Sequence, residues 1–398
     1  MSAQTVTARA ALEKAERLKQ LPPYLFVEID RAKKRLVEQG HDVIDLGVGD
    51  PDLPTPPHII KRLQSTAEDP ANHRYSFTEG LRPLRETIAG WYAQRFGVTL
   101  DSETEVLPLL GSKEGLAHLP LALVNPGDVV LVPDPCYPPY RSGAILAGAD
   151  MVAMPLEAEA QFLPDFGAIS QRAARRAKLM FLNHPGNPTT ALATEANFQD
   201  AIALAKEYQI VIAHDAAYSE IAFDGVRPLS FLQVPGAKEA GVEFHSASKT
   251  YNMTGWRVGF VCGNATVIAA LSQLKSHVDS GIFQPVQYAA IEALQGDQAC
   301  VQQAIATYQQ RRDLMIDALA NAGWHIPKPK ASFFIWAPLP SPSGQTSMEF
   351  AARMLEQAHV VLTPGRGFGA AGEGFLRLSL TVPTPRIQEA AERIAKAL

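Results

Sequence analysis

Short apolar runs recur through the middle of the chain at 106–110, 129–132, 151–154, 179–182, 210–213, 242–244 and 258–262. Most are too short for helices and are rich in Val, Ile and Leu, as strands buried on both faces are. Helix-period stretches such as 194–207 lie between several of them, the alternation of βαβ units around a parallel sheet. The last two runs are joined without room for a helical crossover, so 258–262 is expected to run antiparallel. The ends read differently. An amphipathic helix is predicted over 26–39, stopping near Gly40, then a short strand over 42–46 and a Gly/Pro-rich loop over 47–57. At the far end the pattern predicts a long helix over 298–321, strands at 333–336, 360–362 and 375–380, and helices at 347–358 and 385–397.

The expected fold is therefore α/β. A large domain, 56–295, holds a seven-stranded, mostly parallel sheet between helices. A small α+β domain is assembled from both chain ends, 1–55 and 296–398. Length agrees, since 398 residues exceed what one core supports, roughly 250–300.

Composition removes several function classes. Net charge is −5 and no basic stripe is visible, so nucleic acid is not an expected partner. Cys136, Cys262 and Cys300 are too few and too scattered for a disulfide framework or a zinc site, and they fit a reducing cytosol. His184 and His214 have no spaced partners and read as structural, so no metal is expected. With no signal-like start and no apolar run of membrane-spanning length, the expected setting is cytoplasmic, away from membranes.

Polar residues change the picture where they follow the strands. Gly111-Ser112-Lys113-Glu114-Gly115, Pro135-Cys136-Tyr137-Pro138, Asn183 to Thr189, His214 to Tyr218 and Ser246 to Lys249 each follow one apolar run. Five such clusters at the carboxyl ends of candidate parallel strands mark the edge where open α/β sheets bind ligands. In Ser246-Ala-Ser-Lys249, with Arg257 eight residues on, hydroxyls and a guanidinium flank one amine. That combination points to a bound phosphate beside a lysine that forms a Schiff base, as in pyridoxal 5′-phosphate (PLP) enzymes. Ser112 and the backbone N–H of Lys113 open a helix and suit the phosphate, with Ser246 and Arg257 beside them. Asp215 suits the ring nitrogen, Asn187 and Tyr218 the ring 3-oxygen, and Tyr137 a ring face. Lys249 is then placed for proton transfer. Asp215 alone would read as a turn or cap residue, Tyr137 as packing, and the charges of Lys113 and Glu79 as surface. The Gly365-x-Gly367-x-Gly369 stretch opens no βαβ unit and is not a dinucleotide fingerprint; it is expected to be a mobile loop over the site.

These residues resemble fold-type I PLP aminotransferases of class I/II over nearly the whole chain. The matching pieces are Asn183-x-Pro-x-Asn-Pro-Thr, Asp215-x-x-Tyr218, Ser246-x-Ser-Lys249 with Arg257, and Arg377-Leu-Ser379. Thr190 departs from the pattern, because many relatives carry glycine after Asn-Pro-Thr. The resemblance implies that Arg377 grips the substrate α-carboxylate and that Gly47 supplies a backbone contact near it. It also implies that Tyr75 reaches the phosphate of a neighbouring subunit, hence a homodimer with shared active sites. Within the family the chain is most similar to LL-diaminopimelate aminotransferases, through Leu-Pro-Pro-Tyr-Leu-Phe-Val-Glu-Ile, Gly-Ser-Lys-Glu-Gly and Ser-Lys-Thr-Tyr-Asn-Met-Thr-Gly-Trp-Arg. This implies transfer of an amino group between LL-2,6-diaminopimelate and 2-oxoglutarate. Glu79 of the neighbouring subunit is then expected at the distal ammonium, with Tyr24 and Lys113 nearby. The loop Ser-Phe-Thr-Glu-Gly departs from that of the best-known diaminopimelate enzymes. Alanine, aspartate, aromatic and N-succinyl-diaminopimelate aminotransferases stay open. A PLP carbon–sulfur lyase or a non-catalytic regulator on the same fold is the more distant alternative.

Overall fold

The computed structural model describes residues 13–21, 26–77, 79–340 and 344–398. Seven strands form the main sheet: β2 (Val106–Leu109), β3 (Val129–Asp134), β4 (Asp150–Pro155), β5 (Ala177–Asn183), β6 (Val211–Asp215), β7 (Gly241–Ser246) and β8 (Gly259–Gly263), in the order β2-β8-β7-β6-β5-β3-β4. Every apolar run expected to be a strand is one. Only β8 runs against its neighbours, pairing antiparallel with both β2 and β7. The reason is local. Between β7 and β8 the chain makes only a four-residue helix, Ala247–Thr250, and a turn, Thr254–Trp256, too little to carry it back to the far edge. The six parallel strands thus end along one edge, and the Lys249 segment folds over it.

Helices cover both faces. On one side Tyr92, Met180, Phe198, Ile212 and Phe231 pack together; on the other, Leu116, Tyr140, Phe181, Phe244 and Leu271 do. Helix ends follow their sequence signals. Thr194 and Asn197 make a reciprocal capping box ahead of Glu195–Tyr208, and Gly97 closes Arg82–Phe96 in the left-handed conformation at φ 69°.

A third core joins the chain ends. Ile44 and Leu46 pack with Trp324, Phe334, Phe350, Leu376, Ile387 and Ile394. Here β1 (Ile44–Asp45) pairs parallel with β10 (Val360–Val361). Next to this pair, β11 (Thr363–Pro364), β12 (Phe375–Ser379) and β9 (Phe334–Pro338) form an antiparallel sheet in that order. The single strand expected near 360–362 is therefore two, because the chain leaves β1 at Leu362 and joins β12. The helix Ala299–Asn321 spans the cores, with Val301 in the first and Tyr308 and Met315 in the third. Among the described residues, no helix is long and apolar enough to cross a membrane.

Candidate active site

The strand ends and the Lys249 segment enclose a cavity of about 460 Å³ lined by Asp50, Ser112, Lys113, Tyr137, Asn187, Asp215, Tyr218, Ser246, Lys249 and Arg257, among others. Five separate strand exits thus deliver the sequence-predicted polar residues to one space.

One end of the cavity is built for an anion. The helix Ser112–Leu123 starts there, and the first N–H groups of a helix have no intrahelical acceptor. Gly111, at φ +81°, lies so close to Arg257 that a Cβ would sit 2.3 Å from Nη2. Gly259 is equally constrained, because its Cβ would meet the Ser112 nitrogen at 2.8 Å. The guanidinium is aimed by its donation to the Thr254 carbonyl at 2.7 Å, from a backbone in the left-handed region at φ 55°. Ser246 caps the short lysine helix, its hydroxyl accepting from the Ser248 N–H at 3.2 Å. Helix N–H groups, two serine hydroxyls and a guanidinium on adjoining backbone suit a phosphate-sized group.

The centre holds the titratable residues. Asp215 ends β6, where its Oδ2 accepts from the Tyr140 hydroxyl at 2.7 Å and its Oδ1 from the Ala217 N–H at 3.2 Å. Burial pushes the carboxyl up, and those two hydrogen bonds only partly oppose it. Lys249 donates to the Gly49 carbonyl at 3.1 Å. Burial pushes its ammonium down to about 8, with Asp50 acting in the other direction. Burial likewise pushes the Tyr218 phenol up, against the hydrogen bond it shares with Asn187. Asn187 is fixed in turn by its own N–H, which donates to Asn183 Oδ1 at 2.7 Å. Thr190 lies just beyond at φ +60°, the backbone region that a glycine at this position serves without strain.

At the other end Arg377, on β12, lies between the rings of Phe334 at 4.1 Å and Phe368 at 4.7 Å. Its Nη1 donates to Asn187 Oδ1 at 2.9 Å and its Nη2 to the Gly47 carbonyl at 2.6 Å. Gly47 meets the site through that carbonyl, since its N–H is engaged by Asp45 at 2.8 Å.

Two predicted residues are not brought to the cavity of their own chain. Tyr75 and Glu79 lie on the surface, Tyr75 at 76% exposure. Tyr24 lies outside the described residues. Sequence reasoning missed Tyr140, Gly49, Asp50 and the two phenylalanines around Arg377. Tyr140 had a signal: Pro138 opens a helix right after Tyr137, so a tyrosine three residues on falls on the same side. The two rings meet edge to face at 5.7 Å.

Comparison with known proteins decides the family. The sequence model described as aminotransferase class I and II matches residues 41–394. The chain belongs to the class I and II aminotransferases. It is 55% identical over 386 residues to a protein from Syntrophobacter fumaroxidans named LL-diaminopimelate aminotransferase, covering 97% of this chain and 99% of that one. A protein of the same name from Desulforudis audaxviator is also 55% identical, covering 96% and 97%. Among solved structures, substrate-bound BacF from Bacillus subtilis superposes with a TM-score of 0.93 at 40% identity, covering 97% of this chain and 98% of that one. As an aminotransferase, the enzyme takes amino-acid and oxo-acid substrates, and Arg377 is tied to the Lys249 cavity through Asn187, which lines that cavity and accepts from the guanidinium.

Proposed function

We propose that this aminotransferase is PLP-dependent and transfers an amino group between LL-2,6-diaminopimelate and 2-oxoglutarate, a step of lysine and cell-wall precursor synthesis in the cytoplasm. The substrate rests on one observation, the 55% identity over nearly the full length of both chains to a protein of that name. The cofactor rests on the fit of the cavity. Its anion end matches a phosphate, Asp215 is a buried carboxylate with acceptor capacity left, and Lys249 is an amine held near neutrality by its surroundings.

In this reading Ser112, Lys113 through its N–H, Ser246 and Arg257 hold the phosphate, and Lys249 carries the cofactor. Asp215 faces the ring nitrogen, Asn187 and Tyr218 the ring oxygen, and Tyr137 a ring face. When bound, PLP supplies an electron-withdrawing ring for the charge that develops at the substrate α-carbon. Lys249 takes the proton from that carbon and returns it during transfer. Arg377 receives the α-carboxylate, its two flanking rings excluding water from the pair.

The enzyme works as a homodimer in this reading. Tyr75 and Phe77 stand 76% and 79% exposed, with Phe283 beside them, also exposed. Tyr75 then reaches the phosphate in the neighbouring subunit, and Glu79 meets the distal ammonium there, with Tyr24 and Lys113 nearby. The chain divides into 1–55 and 296–398 as the small unit and 56–295 as the large one.

A panel of amino donors with 2-oxoglutarate tests the substrate. LL-diaminopimelate is expected to give the highest kcat/KM, above N-succinyl-diaminopimelate, alanine, aspartate and aromatic amino acids; another donor in first place overturns the assignment. A visible absorbance band abolished by borohydride, with the label on Lys249, tests the cofactor, and protein supplied with PLP that shows no band rules it out. Glu79→Gln is expected to raise KM for diaminopimelate; an unchanged KM removes Glu79 from the substrate site.

A further inference from the structure

The glycine-rich stretch that follows β11 is not a free loop. Its turns, Gly365–Phe368 and Ala370–Gly372, are closed on themselves so tightly that a Cβ on Gly365 would sit 2.0 Å from the Gly372 carbonyl. The stretch is also fastened to the large sheet. The Phe368 carbonyl accepts from the Cys136 N–H at 3.0 Å, and Asp134 Oδ1 accepts from the Ala371 N–H at 3.3 Å. Asp134 ends β3, and it pairs with Arg141 of the following helix at 3.0 Å. Gly369, at φ +145°, runs directly against this pair. A Cβ there would lie 1.8 Å from Asp134 Oδ1 and 2.4 Å from Arg141 Nη2, so only glycine fits.

The residue so held is Phe368, one of the two rings enclosing the Arg377 guanidinium. The other ring, Phe334, comes from β9, the direct sheet neighbour of β12. One wall of the arginine pocket is therefore intrinsic to the small sheet. The second wall belongs to the loop docked on Asp134 and Cys136, just ahead of Tyr137, which lines the Lys249 cavity.

We infer that Asp134 and Arg141 are positioning residues for substrate recognition: they hold the 365–372 loop so that Phe368 covers Arg377, and carboxylate binding is complete only when the small unit is docked on the large sheet. This rests on the reading of Arg377 as the carboxylate ligand. Both substrates carry an α-carboxylate, so the latch serves both half-reactions alike, whatever the amino donor.

Steady-state kinetics of the PLP-loaded enzyme with both substrates varied test it. Asp134→Ala is expected to raise KM for the amino donor and for 2-oxoglutarate by the same factor, about tenfold, with kcat nearly unchanged and the cofactor absorbance band in place. Asp134→Asn keeps an oxygen for the Ala371 N–H and is expected to restore most of the loss. Gly369→Ala, which acts from the other side of the contact, is expected to repeat the Asp134→Ala pattern, so the two together guard against a folding defect in either. Unchanged KM values in folded Asp134→Ala enzyme overturn the latch, as does a loss confined to kcat or to cofactor binding. Arg377→Leu separates the two readings. If it too leaves both KM values unchanged, the carboxylate assignment has failed; if it raises them while Asp134→Ala does not, the latch alone has failed.

Discussion

Asp215 and Glu243 are both buried carboxylates on adjacent strands of one sheet, and they have opposite characters. The register pairs His214 with Glu243 and Asp215 with Phe244, so the two acids point to opposite faces. Asp215 receives two hydrogen bonds, from Tyr140 and Ala217. Glu243 receives five: Tyr92 at 2.9 Å, Ser230 at 2.6 Å and His245 at 3.0 Å on Oε1, and His214 at 2.8 Å and the Phe231 N–H at 2.6 Å on Oε2. Burial raises the carboxyl in both. In Glu243 the bonds from His214 and His245 outweigh it and leave the group well below the usual range; in Asp215 burial wins. Burial alone therefore does not mark a functional acid. A saturated carboxylate locks the back of the sheet, and an under-supplied one facing a cavity is ready for a ligand.

The largest effect is expected where the under-supplied acid is removed. Asp215→Asn replaces the ionic partner of the proposed ring nitrogen by an amide. Breaking a buried charge pair costs about 3–5 kcal/mol, so kcat should fall by roughly 10²–10⁴-fold. The fold should not suffer. A carboxyl raised above its unfolded value makes its ionised form a cost to the native state at neutral pH. The cofactor-free variant is therefore expected to unfold at the same denaturant concentration as the parent, or a higher one.

Glu243→Gln should show the reverse. An amide has one acceptor oxygen and brings two N–H donors into a ring of five donors, so at least two of those lose their acceptor. At about 1–3 kcal/mol for each buried group left unsatisfied, chemical denaturation should report a loss of about 2 kcal/mol or more. The pH dependence follows from the direction of the shift. A carboxyl held below its unfolded value supplies stability that is complete above the ordinary carboxylate range and disappears as pH falls through its folded value. The gap between parent and variant is thus expected to be widest near neutrality and to close in acid. A loss of activity without loss of stability would erase the distinction between the two acids.

The seven strands, the antiparallel β8 and the gathering of Lys249, Asp215, Asn187, Tyr218, Ser112 and Arg257 were legible because each depends on local signals: an apolar run, then a polar residue just past its end. The Glu243 network was not, although Glu243 between Val242 and Phe244 is a charge inside a buried run, which demands partners. His245, two residues on, shares its strand face, but the other four partners come from other elements, Tyr92 lying 151 residues away, and no periodicity encodes such a meeting. The glycine-rich loop was expected to be mobile because sequence shows the glycines and not what they touch. Its docking on Asp134 is set by how two cores fit together. Tyr75 and Glu79 are exposed at the surface and are not among the residues lining the cavity of their own chain.

The finest test makes one deletion on each acid. Tyr140→Phe removes an O–H donor from Asp215, and Ser230→Ala removes one from Glu243. Asp215 keeps a single donor afterwards, and a hydrogen bond to a charged group is worth about 1.5–3 kcal/mol. Its carboxyl should therefore rise further, and the acid limb of the pH profile of kcat/KM should move upward by about 1–2 units, because more alkaline conditions are needed to keep Asp215 ionised. Glu243 keeps four donors, both histidines among them, and stays ionised across the working range. Ser230→Ala should then cost about 1–3 kcal/mol of stability, because it also takes the acceptor from the Leu232 N–H, which donates to that hydroxyl at 3.2 Å, and it should leave the pH profile where it was. A profile that moves equally in both variants would mean that the two faces of the sheet share one proton network, with His214, adjacent to Asp215 in the chain, as the link between them.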